Sequence, residues 1–263
     1  MTTISRSKND LAPTGAPSTS SGPDRDCPLC PRLVAFREEA RVREPEWFNG
    51  PVPSFGDPDA QLLIVGLAPG LQGANRTGRP FTGDFAGDLL YATLLEYGFA
   101  KGKYQARPDD GLRLIDCRIS NAVRCVPPQN KPLPAEINTC RQFLVKTIAT
   151  MPKLRAIVAL GRIAHDSTSK ALGLRNGTAP FAHGAVHEAS AVRLYDSYHC
   201  SRYNTNTGVL TACPPSQRDR RRWWARRKRA FAHPTQLKPD SPSAMPARRR
   251  HSGRAETPGR THA

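Results

Sequence analysis

QLLIVGLAPGLQGANRTGRPFTGD, residues 61–84, changes character within its first six residues. Leu62-Leu63-Ile64-Val65 is a continuous apolar run, the pattern of a short strand covered on both faces of a parallel sheet. The nineteen residues from Gly66 to Asp84 then carry five glycines and two prolines but a single aromatic, Phe81. Glycine lets backbone come close to a ligand, and proline stiffens the path. No Gly-Lys-Ser/Thr follows, so this is not a nucleotide-phosphate loop. Gly66-Leu67-Ala68-Pro69-Gly70 also lacks the Gly-x-Gly-x-x-Gly spacing of a dinucleotide site.

Working outward, strands and helices alternate. Val34–Phe36 with the charges at 38–43 suggest a helix, and 87–97 a second with Leu89, Leu90, Leu94 and Leu95 on one face. The region 114–123 contains a strand, 135–150 a helix opened by Pro134, 155–161 a strand running into another helix, and 191–195 a fourth strand. This alternation predicts right-handed βαβ units, hence an α/β/α three-layer domain around a four-stranded, largely parallel sheet. Ligands in such sheets bind beyond the carboxyl ends of the strands. Three segments stand at those ends: 66–84, 121–131 and 199–210.

The 263 residues suffice for one domain with tails. Residues 1–24 are rich in Ser, Thr, Pro and Gly and read as a disordered arm, leaving a domain over 25–213. Residues 214–263 hold 14 Lys and Arg against three acids and read as an Arg/Pro-rich basic tail, also disordered. The formal net charge of +17 points to an anionic partner, nucleic acid first. No apolar run approaches the ~20 residues of a membrane span, and no secretion signal opens the chain. The expectation is a cytoplasmic, nucleoid-associated monomer.

Seven cysteines in a reducing compartment suggest metal or cluster ligation, or plain core packing, before disulfides. Cys27 and Cys30 form one close pair, while Cys125 and Cys140 stand apart. A zinc ribbon normally has two close pairs, and one pair plus two single cysteines suits a four-thiolate iron–sulfur cluster. Spacing alone leaves cluster, zinc and unconnected thiols open. Cys117, Cys200 and Cys213 read as packing residues.

Residues 66–84, Asn121-Ala-Val-Arg-Cys125-Val-Pro-Pro-Gln-Asn-Lys, and His199-Cys-Ser-Arg-Tyr-Asn204-Thr-Asn-Thr-Gly208 together resemble type B (family 5) uracil-DNA glycosylases, on the iron–sulfur branch of the uracil-DNA glycosylase superfamily. The resemblance spans about residues 25–211. It implies a DNA repair hydrolase that flips uracil or a related deaminated base out of DNA, cuts its N-glycosidic bond and leaves an abasic site. It also implies a [4Fe–4S] cluster on Cys27, Cys30, Cys125 and Cys140.

By the same resemblance Gly66 allows close approach of the base, Phe81 stacks on it, and Asn121 hydrogen-bonds the pyrimidine edge. His199 faces uracil O2, and Asp84 lies beside the sugar. Arg76, Ser201, Arg202 and Asn204 meet DNA. Related families carry a polar water-activating residue where this chain has Leu67-Ala68-Pro69, a difference that goes with a broad substrate range including hydroxymethyluracil and deaminated purines. Two departures stand out. The third motif reads His-Cys-Ser where the family has His-Pro-Ser, and Arg/Pro-rich sequence replaces a terminal helix after Thr211. The competing expectation is therefore an impaired member acting as a cluster-bearing DNA-binding protein.

Overall fold

The computed structural model describes residues 21–210. The expected arm, apart from residues 21–24, and the expected basic tail lie outside the described residues.

The element order is α1 (Pro31–Arg43), β1 (Phe55–Gly56), β2 (Leu62–Gly66), α2 (Ala74–Thr77), α3 (Phe85–Glu96), β3 (Ala100–Lys101), β4 (Arg113–Leu114) and β5 (Cys117–Asn121). A 3-10 turn (Pro128–Asn130), α4 (Pro134–Ala149), β6 (Ala156–Leu160), α5 (Arg162–Ala171), β7 (Val186–Ala189), β8 (Val192–Ser197) and α6 (Arg202–Asn206) follow. The main sheet has the strand order β1-β5-β2-β6-β8-β7. Its four central strands are mutually parallel, as the alternating sequence predicts. Two antiparallel edge strands that the sequence did not announce, β1 and β7, extend it to six.

β2 is central and buried along its whole length. Leu62 and Ile64 face α3, whose buried stripe is Ala86, Leu90, Tyr91 and Leu94. Leu63 and Val65 face the opposite layer, with Leu144 of α4 and Ala164 of α5. Fully burying such a side chain contributes about 2 kcal/mol, which explains why alternation is absent from the run. Leu89 and Leu95 sit at the edges of the α3 stripe, and Tyr91 takes its centre.

β2 pairs with β5 on one side and β6 on the other. The chain thus reverses its direction of travel across the sheet at β2, the position where strand-end loops part and leave a crevice. A small excursion, the antiparallel pair β3–β4, separates α3 from β5. α1 lies against α4, where Leu33, Val123 and Phe143 pack with four cysteines.

Candidate active site

β2, β5 and β8 each deliver one loop to the same end of the sheet. Leu67, Ala68, Gly70, Phe81, Asp84, Phe85, Asn121, His199 and Arg202 line a common cavity of about 330 Å³ there. The expected contributors Phe81, Asn121, Asp84 and His199 are thus brought together from positions up to 118 residues apart in sequence.

Asn121 is the last residue of β5, paired in register with Gly66 of β2. Its side chain is buried, and its Oδ1 has no hydrogen-bond partner. Leaving a buried carbonyl oxygen unpaired costs about 1–3 kcal/mol, so the site is built for a donor supplied from elsewhere. Gly66 makes room for this arrangement. A Cβ there would lie 2.5 Å from Asn121 Oδ1 and 2.5 Å from Phe81 Cζ.

Phe81 adopts a positive φ of 52°, rare for a non-glycine residue, and its ring stacks on the imidazole of His199 at a centroid distance of 5.9 Å. Burial lowers the His199 pKa from the usual imidazole value of 6.5, with Asp84 opposing the shift more weakly. The ring is therefore neutral at pH 7. Asp84 caps α3, its Oδ1 accepting from the Gly87 N–H at 2.9 Å. Its second oxygen faces the glycines of the loop: a Cβ at Gly73 would come within 2.8 Å of Oδ2, and one at Gly70 within 3.3 Å. One carboxylate thus both starts the helix and presents an oxygen to the cavity wall.

The four residues expected at DNA have distinct settings. Arg76 is exposed on α2 and Arg202 exposed on α6, where its guanidinium stacks 5.1 Å above the Phe85 ring. Ser201 caps α6, accepting from the Asn204 N–H. The Asn204 side-chain amide donates to the His199 carbonyl at 2.8 Å and so ties the helix to the histidine. Tyr203, 74% exposed beside Arg202, was not singled out by sequence; an aromatic followed by polar residues gives no cue to its exposure. Cys200 is buried, and its thiol donates to the Ala86 carbonyl at 3.4 Å. It fastens the histidine loop to α3 where the resembling family has proline.

Cys27, Cys30, Cys125 and Cys140 line a second, small cavity between α1 and α4 together with Leu33, Val123, Arg37 and Phe143. Burial pushes the Cys125 thiol up to about 12 and the Cys140 thiol up to about 11. Unaided, both stay protonated at pH 7. Yet the surroundings are arranged for negative charge. The Arg124 N–H donates to Cys140 Sγ at 3.3 Å, and the guanidinium of Arg37 donates to the Cys27 carbonyl. Nε of Arg37 and Nε of Arg124, both on buried side chains, have no hydrogen-bond partner. The exposed carboxylate of Glu38 approaches the first of them to 3.5 Å. Arg32 of α1 reaches Glu136 of α4 at 2.8 Å and closes the shell.

Another polar group lies apart from both cavities. Asp196 of β8 accepts from His165 of α5 at 2.7 Å and from His187 of β7 at 3.0 Å. His165 Nε2 is also within 2.8 Å of the Ala179 carbonyl. The three side chains thus satisfy one another and pin the β7–β8 hairpin to α5.

The chain is similar to known proteins. The profile of the Uracil DNA glycosylase superfamily matches residues 53–227. A type-5 uracil-DNA glycosylase of Thermus thermophilus is 49% identical over 192 residues, covering 70% of this chain and 87% of that protein. Its counterpart in Pyrobaculum aerophilum is 41% identical over 190 residues, 71% of this chain and 83% of the relative. A type-4 uracil-DNA glycosylase from the same organism is 32% identical over 152 residues, 57% of this chain and 63% of the relative.

Proposed function

The chain belongs to the Uracil DNA glycosylase superfamily, and from that premise we propose that it hydrolyses the N-glycosidic bond of uracil and related deaminated bases in DNA, leaving an abasic site. The observation that carries this reading is the buried, unpaired Oδ1 of Asn121 in a cavity walled by Phe81 and His199. A base reaches such a cavity only by leaving the stack. Uracil then offers what the amide lacks: its N3–H donates to Oδ1, and its O4 accepts from Nδ2. Phe81 covers the ring of the base.

When the bond between N1 and C1′ breaks, its electron pair stays with the base. His199, neutral and partly desolvated, donates to uracil O2 and favours the departing anion over the bound substrate. The sugar becomes oxocarbenium-like. Asp84 holds a water for C1′ and takes its proton, while its charge opposes that of the cation. The departing base is protonated by solvent. Arg76 and Arg202 contact phosphates at the rim, and Ser201 and Asn204 hold the loop that carries His199.

We further propose that Cys27, Cys30, Cys125 and Cys140 hold a [4Fe–4S] cluster. The Arg124 backbone N–H on Cys140 Sγ and the buried Arg37 side chain lining the same cavity support an anionic group among these thiols, since four thiolates outweigh the positive charge of the cluster core. The cluster supplies no chemistry to the bond cleavage. It ties α1 and α4 to the segment after Asn121. Anaerobically purified protein should be brown, with about four irons per chain; a colourless protein with one zinc would contradict the cluster.

Two results are expected of the base pocket. Gly66→Ala pushes the Asn121 amide and the Phe81 ring apart, and displacement on the order of 1 Å costs about 100-fold in cleavage. The check is single-turnover kinetics beside a thermal melt, which reports the stability that overpacking costs and should leave the variant folded at the assay temperature. The pH profile gives a second test. Because burial lowers the His199 pKa below the usual imidazole value, the neutral donor predominates from pH 7 to 8 and the rate should stay nearly level across that interval. A rate that falls steadily as the pH rises from 7 to 8 would make imidazolium the active form.

A further inference from the structure

Arg79 and Asp110 form a bidentate ion pair, at 2.8 and 2.7 Å, that is buried on both sides and does not line the base cavity. Desolvating two charges is costly. The pair also consumes much of the polar capacity of its neighbourhood: Asp110 additionally accepts from the N–H groups of Gln105 and Leu112. What it supports is the turn that carries Phe81.

Arg79 Nε donates to Thr82 Oγ1 at 2.8 Å. Its guanidinium sits among the rings of Phe55, Tyr91 and Tyr104, each within 5.6 Å. Those two tyrosines stack on one another and grip the same turn. Tyr91 donates to the Pro80 carbonyl at 2.8 Å, while the Tyr104 hydroxyl donates to the Phe81 carbonyl at 3.3 Å and accepts from the Gly83 N–H at 3.4 Å. Gly87, at the start of α3, closes the remaining side, since a Cβ there would collide with the Phe81 carbonyl.

Phe81 needs such a frame. A bulky residue at φ 52° persists only when its surroundings over-determine it. We propose that Arg79, Asp110 and Tyr104 are positioning residues for the base-stacking ring, and that the β3–β4 excursion is retained to bring Tyr104 and Asp110 beneath it. The inference rests on the reading of Phe81 as the stacking residue.

A double-mutant cycle in the full-length chain tests it. Asp110→Asn, Tyr104→Phe and Phe81→Leu are made singly, and each of the first two is combined with the third. Single-turnover cleavage of a uracil-containing oligonucleotide and affinity for undamaged duplex are read. Asp110→Asn and Tyr104→Phe should each slow cleavage about ten-fold in the wild-type background and about two-fold or less when Phe81→Leu is already present, as coupled neighbours do. Affinity for undamaged duplex should not change. Effects that multiply in full on both backgrounds would overturn the positioning role. Wild-type cleavage by Phe81→Leu alone would overturn the stacking role on which it rests. Should Asp110→Asn fail to fold, Tyr104→Phe removes only one hydroxyl and carries the cycle by itself.

Discussion

Asp84→Asn should slow single-turnover cleavage by about 100-fold or more while leaving the affinity for uracil-containing DNA within a few-fold, the signature of a group that acts only in the transition state. Asparagine is as good a helix cap as aspartate, and its Oδ1 can still accept from the Gly87 N–H that Asp84 now holds. The substitution therefore removes the charge and spares the helix. His199→Ala should behave alike, since losing one preorganised donor to developing charge costs about 10²–10³-fold. Both variants should melt close to the wild type. If binding falls as far as cleavage does, the two side chains shape the cavity and do not act on the reaction. Asp84→Ala is the informative companion, because it deletes cap and charge together and should lower the melting temperature as well.

The second large effect lies at the cysteines. Cys125→Ala should abolish the broad absorption near ~400 nm, reduce iron to a small fraction of the about four atoms expected per chain, and leave the protein poorly soluble. Cys125 follows directly on Arg124, whose backbone carbonyl accepts from the Val52 N–H at 2.7 Å and whose guanidinium reaches Ser54 and Thr147. Loss of the ligand frees the segment that joins β5, α1 and α4. The buried Arg37 side chain, left lining an apolar pocket, adds to the destabilisation. Cys200→Ala serves as the control: its thiol bonds a helix carbonyl on the other side of the sheet, and colour should persist. Retention of colour and iron by Cys125→Ala would remove this residue from the ligand set.

These outcomes depend on features that were unequally visible in the sequence. Of the central strands, β2 and β6 were the most legible, because burial on both faces leaves no room for polar alternation; Leu62 to Val65 could hardly be anything else. The edge strands were not. Phe55–Gly56 is two residues long in a Pro-rich stretch, and Val186–Ala189 mixes one exposed valine with His187 and Glu188. The turn joining β7 to β8 gave no warning either, because Ser190 takes the positive φ of 57° that glycine or asparagine usually announces.

Within the cavity, Phe81, Asn121, Asp84 and His199 could be picked out because each lies in a quotable motif at the carboxyl end of a strand; Asn121 ends β5 and Asp84 caps α3. The brace beneath Phe81 could not. Asp110 lies in Pro108-Asp109-Asp110-Gly111, which reads as an ordinary surface turn. Only the fold brings it to Arg79, thirty-one residues earlier in the chain. Arg37 and Arg124 are hidden for a similar reason. Arginines on a charged helix and after a strand look solvent-facing, and nothing local reveals that both are buried.

Release of free uracil from a duplex oligonucleotide with one deoxyuridine tests the central claim most directly. The purified full-length protein should liberate the base and leave an alkali-labile abasic site over repeated turnovers. Asp84→Asn at the same protein concentration should release little within that time. Binding of the duplex without any free base, at pH 7 to 8 and with the cluster intact, would contradict the account and leave a cluster-bearing DNA-binding protein in its place.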